Sequence, residues 1–187
     1  MPTEIKTDFR LPSYSKWRAP RAVVDSGAGV IIATVEVDAP PERIFRALTT
    51  TEVEQWWGHP GFYRWKNWQA DLRVGGQWSV AVHFADGSTN GGYGEFAELE
   101  EPRKIVMTRR FEQHPLLGTR ETTITYRLDP IESGTRVTLR DEGFIGRSEA
   151  AFGNAEHWER VLGWLQACLA PVKPLPPGLR SATLQFA

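Results

Sequence analysis

The stretch Ser148 to Ala170, SEAAFGNAEHWERVLGWLQACLA, constrains this chain more than any other. Ala151, Ala155, Trp158, Leu162, Leu165 and Leu169 recur at steps of three and four, one face of an α-helix. Val161, Trp164 and Cys168 widen that face into a broad apolar stripe. Ser148 suits an N-cap, and Pro171 and Pro174 stop the helix because proline lacks the N–H and clashes with the preceding turn. On this pattern Cys168 is expected to be a buried helix residue. So broad a stripe requires a large apolar partner.

Upstream, that partner reads as a sheet. In VIIATVEVDA from Val30, Ile31, Ala33, Val35 and Val37 alternate with the other side chains, as in a half-buried strand. APPERIFRALTT and TTTEVEQWW read as two short helices; Thr50 or Thr51 caps the second, with Glu54 completing a capping box. HPGFYRWKN, residues 59–67, reads as an aromatic-rich loop. Beyond it, Trp78, Val80, Val82 and Phe84 share one strand face. So do Ile105, Met107, Arg109 and Phe111; Ile124, Tyr126 and Leu128; and Val137, Leu139 and Asp141. Phe96 and Leu99 lie three apart, which points to a bulge. Short connections between strands imply antiparallel neighbours. The expectation is an α+β domain over residues 30–170, with a curved antiparallel sheet covered by the long helix. Residues 1–29 are expected to form an N-terminal extension, and 171–187 a proline-rich tail.

At this point the residues resemble a known family. VDAPPERIFRALTT, EQWWG, DLRVGGQW, the G-x-F-x-E-x-x-x-P pattern from Gly94 to Pro102, and GTRVTLRDEGF occur in the order seen in the helix-grip (START-like, SRPBCC) superfamily. Within it they are similar to the activator of heat-shock-protein-ninety ATPase homologues, over about Val30 to Ala170. The resemblance implies a sheet of about seven strands gripping the last helix, with a cavity between them. Members bind lipids, polyketides or hormones, cyclise polyketides, or touch a chaperone, so the fold does not fix a reaction. Where the eukaryotic chaperone activator carries a separate N-terminal domain, only about 29 unpatterned residues precede the first strand here.

Charge excludes some functions. With 22 Lys and Arg against 23 Asp and Glu, the net charge is −1, and no basic footprint for nucleic acid exists. A single cysteine excludes an internal disulfide and fits a cytoplasmic location. No segment has the length and apolarity for membrane insertion. His59, His83, His114 and His157 lack metal-ligand spacing, and neither HExxH nor CxxC occurs, so no metal or cofactor is expected. His83 falls on an outer face, and His157 reads as a packed or rim histidine that could edge a cavity.

Eight tryptophans fill a core, line a cavity, or do both. Arg109 and Asp141 have the parity of apolar neighbours. They form a structural ion pair, or lie at strand ends that reach solvent, or anchor a ligand's carboxylate or hydroxyl. The candidate ligand-binding set is Trp57, Phe62, Trp65, Trp78, Val80, Phe96, Met107, Arg109, Ile124, Tyr126, Asp141, Ala155, Trp158 and Leu162. Trp57, Phe62, Tyr63, Trp65 and Trp78 are the aromatics placed to rim or line a pocket; Phe62 and Trp65, on a loop, are the mouth candidates, and Trp57 and Trp78 are also core candidates. Ala151, Gly153 and Ala155 leave room near the helix start, which is where a cavity is expected.

The expected function is binding of a small hydrophobic ligand, since no catalytic constellation is visible. Two alternatives stand beside it. One is a polyketide cyclase/dehydratase-like enzyme using Arg109, Tyr126 and Asp141; the other is a chaperone ATPase activator, the partner the family name implies.

Overall fold

Hairpin-length connections leave most of the strands antiparallel partners only, and the chain pairs that way throughout. The computed structural model describes residues 19–171. In order these form β1 (Arg21–Asp25), β2 (Val30–Val37), α1 (Pro41–Thr49), α2 (Val53–Trp56), β3 (Gly58–His59) and β4 (Tyr63–Ala70). Then follow β5 (Gln77–Phe84), β6 (Thr89–Glu100), β7 (Lys104–Phe111), β8 (Thr122–Ile131), β9 (Gly134–Glu142) and α3 (Ser148–Leu169). They make one nine-stranded sheet in the order β1-β2-β9-β8-β7-β6-β5-β4-β3. The α1–α2 excursion carries the chain from β2 to the far edge, and successive hairpins bring it back to β9.

The helix lies on the face built from the alternating apolar residues. Ala151, Ala155, Trp158, Leu162, Leu165 and Leu169 are all buried, with Ile31, Val35, Leu128, Val137 and Leu139 in the same core. The second line of the stripe does not hold to its end: Val161 is buried, Trp164 is half-buried and Cys168 is exposed. The expectation for Cys168 is therefore corrected, because the apolar arc narrows toward the helix C-terminus. Ser148 is the first helical residue, not the cap; Arg147 occupies that position without a side-chain cap bond. Likewise Glu52 precedes α2 with no side-chain cap bond. Glu54 instead accepts from the Trp68 N–H at 2.8 Å, tying α2 to β4.

Nine strands replace the expected seven for two local reasons. Residues 21–25 pair with 30–34 as an edge strand, too short to show an alternating pattern in sequence. The Ala22 N–H also donates to Glu159 Oε1 on α3 at 2.8 Å, which ties this strand to the helix. The remainder of the N-terminal extension, residues 1–18, and the tail beyond Pro171 lie outside the described residues. The second reason is the stretch from 58 to 70, where strands Gly58–His59 and Tyr63–Ala70 flank a short turn in place of the expected loop. Trp65 and Trp68 are both buried although three apart, which breaks strand parity. A register shift between Lys66 and Gln69 absorbs the extra residue, and Asn67 takes φ 56° within it. A second shift between Phe96 and Glu98 is the bulge expected in β6.

Candidate functional site

A cavity of ≈ 370 Å³ lies between the β4–β7 half of the sheet, the loop after β7 and the N-terminal half of α3. Trp57, Trp65, Val82, Phe84, Phe111 and Leu116 supply apolar wall. Gly153 on α3 borders it with nothing within 4 Å of where a Cβ would sit. Exposed Phe84, Gln113, Pro115 and Gly153 form the mouth.

The aromatic wall is built by stacking. Trp57 and Trp65 lie face to face, 3.8 Å between centroids and 11° between planes, and Trp57 meets Trp158 edge-on at 5.9 Å. Behind them Trp65, Trp68 and Trp78 continue the stack. The Trp78 indole N–H donates to the Thr108 carbonyl at 3.1 Å, so that ring is fixed in the core.

Polar groups converge at the inner end. Arg109 Nε donates to Thr122 Oγ1 at 3.1 Å, and Nη2 donates to Asp141 Oδ2 at 2.8 Å and Asn154 Oδ1 at 3.4 Å. Its guanidinium also sits over the rings of Trp158, at 5.3 Å, and Phe111, at 5.5 Å. Asp141 Oδ2 accepts a second bond, from Trp158 Nε1 at 2.8 Å, while Oδ1 is buried with no partner. Burial pushes the Asp141 carboxyl up; Arg109 and the Trp158 indole pull it back.

Across the cavity the Tyr63 hydroxyl lies 3.4 Å from His157 Nε2. Burial raises the phenol, and burial followed by the charges of Arg109 and Arg160 and by His114 depresses His157, so this imidazole is neutral. With its proton on Nδ1 the ring accepts from the phenol. His114 is depressed by burial and by Arg109. Its Nδ1 accepts from the Leu116 and Leu117 N–H groups at 3.2 and 3.1 Å, which leaves the proton on Nε2.

Of the candidate residues, Trp57, Trp65 and Arg109 line this cavity. Trp78, Met107, Ile124, Tyr126 and Trp158 instead surround a void of only ≈ 10 Å³, which holds no ligand. Val80, Phe96, Ala155 and Leu162 are core residues. Asp141 is fully buried and meets Arg109 from behind. Phe62 is 61% exposed and is not among the residues lining the cavity, so its mouth role is corrected; Tyr63 and Trp65 of β4 line the cavity in its place. Sequence reasoning gives no site role to His114 and Asn154, whereas Tyr63, one of the aromatics placed to rim or line a pocket, does line it. For Val82 and Phe84 the signal was present, since they share the face of Trp78.

A curved antiparallel sheet gripping a C-terminal helix, with a side cavity between them, defines the helix-grip class. The family model described as activator of Hsp90 ATPase homolog 1-like protein matches residues 38–170, more than half of the chain, and the chain belongs to that family. No curated protein matches it. Among solved structures, a protein from Chromobacterium violaceum is 26% identical with TM-score 0.67, covering 76% of this chain and 99% of its own. One from Rhodobacter sphaeroides is 19% identical with TM-score 0.69, covering 81% and 97%. DynU16, from the dynemicin biosynthetic locus, is 22% identical with TM-score 0.60, over 75% of this chain and 47% of its own. Among the described residues no helix is long and apolar enough to cross a membrane, and no group of three or more His, Cys, Asp or Glu side chains is placed to hold a metal ion.

Proposed function

We propose that this protein binds a small hydrophobic or aromatic molecule in the cavity between the sheet and the N-terminal half of α3. One observation carries the reading: ≈ 370 Å³ of space with aromatic walls and a few convergent polar groups, within the roughly 300–1,000 Å³ typical of small-molecule sites. Trp57, Trp65 and Phe111 form the apolar bed; Tyr63, His157 and Arg109 orient the polar part. A cytoplasmic location belongs to the same reading and is supported by the lone cysteine. Native mass spectrometry of protein purified from its own host tests it. A retained molecule in wild type that is lost when Gly153→Trp plugs the mouth supports the proposal. A retained molecule that persists in the plugged variant places binding elsewhere.

A second reading has one observation in its favour. A neutral imidazole beside a phenol in an apolar cavity can move a proton at a bound ligand, which is acid–base chemistry of the cyclase/dehydratase kind. Turnover of the retained molecule by wild type, lost in His157→Gln with binding intact, supports it; retention of turnover in that variant removes it.

A further inference from the structure

We infer that the cavity selects a hydrophobic molecule bearing one carboxylate, with Arg109 as its anchor and the Trp57–Trp65 stack as the bed for its apolar part. This rests on the ligand-binding reading above and narrows it to a chemical class. The charge inventory is the starting point. No aspartate or glutamate is among the described residues lining the cavity, whereas one guanidinium is. An uncharged ligand would leave that asymmetry without use, and a cation would meet only a like charge and neutral dipoles.

The hydrogen bonding of Arg109 gives the asymmetry a direction. A guanidinium offers five N–H donors in a fixed fork. Here Nε is committed to Thr122, and Nη2 to Asp141 and Asn154. Nη1 has no hydrogen-bond partner among the described residues, and Arg109 faces the cavity while being only 4% exposed. Asp141, the counter-charge, is on β9 and does not line the cavity. An anion entering from the mouth can therefore contact Arg109 without contacting the carboxylate behind it. Such charge-assisted bonds are short and strong where water is excluded.

Another donor agrees in sign. The Nε2 proton of His114 belongs to a residue that also lines the cavity. Positive potential also reaches both imidazoles: Arg109 contributes to the depression of His114 and of His157.

Isothermal titration calorimetry on the full chain tests the inference with three probes of one shape: naphthoate, naphthol and naphthylmethylammonium. The expected result is that naphthoate binds at least about ten-fold more tightly than naphthol, as for one charge-assisted bond against a neutral one, and that the cation does not bind. Because Arg109→Met alone leaves Asp141 buried without a counter-charge and can unfold the chain, the comparison uses the double variant Arg109→Met/Asp141→Leu. That variant is expected to bind naphthoate no more tightly than naphthol. Equal affinity for naphthoate and naphthol in wild type, or a preference that survives the double variant, overturns the anchor and leaves the ligand-binding reading standing. Failure of all three probes to bind counts against the cavity as a ligand site, and the anchor falls with it.

Discussion

Arg109 on β7 and Asp141 on β9 bond across the intervening strand, Nη2 to Oδ2 at 2.8 Å, above Thr122 and Ile124 of β8. Both side chains are buried, at 4% and 0% exposure. The pair clamps three strands beneath the helix. Arg109 thus both joins the strands and lines the cavity.

Removing half of this pair is expected to cost far more than removing both. Asp141→Ala strands a buried guanidinium and should lower stability by about 3–5 kcal/mol. Arg109→Met/Asp141→Leu, which replaces both charges by apolar groups, should lie much closer to wild type. Urea unfolding of the three proteins measures this; a double variant as unstable as Asp141→Ala contradicts the account.

Acid stability should report on His157. Its folded value is depressed below the ordinary 6.5, by burial first and then by Arg109, Arg160 and His114. Below 6.5 the unfolded chain therefore takes up a proton that the folded chain refuses, and stability falls with falling pH. His114 and the carboxylates Asp86, Glu98 and Glu142, all depressed, act in the same direction. The informative quantity is the difference between wild type and His157→Gln. It should be constant above 6.5 and shift in favour of the variant below it; parallel profiles throughout would show that His157 is not depressed.

Gly94 should tolerate no side chain. A Cβ there would overlap the Thr108 carbonyl oxygen and come 2.8 Å from Trp78 Nε1, breaking the bond that fixes that ring. Neither backbone atom nor packed indole can give way cheaply, so Gly94→Ala should lose about 3 kcal/mol. A thermal melt within a degree or two of wild type would be incompatible with this packing.

Gly153 separates stability from binding. It is an exposed helical glycine at the mouth with open space around it. Gly153→Ala should stabilise by about 0.5–1 kcal/mol through helix propensity. Gly153→Trp should keep the fold and weaken naphthol or naphthoate uptake through the mouth. Unchanged uptake in the tryptophan variant would mean that ligands enter by another route.

Much of this protein is local and therefore readable from sequence. Alternation sets Val80, Met107, Ile124 and Leu139 facing inward, and a step of three and four sets Trp158, Leu162 and Leu165 on the helix face that the sheet must cover. The same parity places Arg109 and Asp141 on one side of the sheet. What it cannot convey is company. Tyr63 and His157 meet across 94 positions, and Arg109 meets Asn154 across 45. Trp65 and Trp68, three apart, both turn inward because a bulge at Asn67 resets the register, an adjustment that their neighbours in sequence do not require. The cavity itself is space left unfilled where β4, β7 and α3 fail to close. Each strand's pattern records which side is apolar, whereas the gap depends on volumes contributed by elements far apart in the chain. Only the tertiary structure could therefore decide that Trp78 and Tyr126 are packed core, while Trp57, Trp65 and Arg109 face a space that a ligand can occupy.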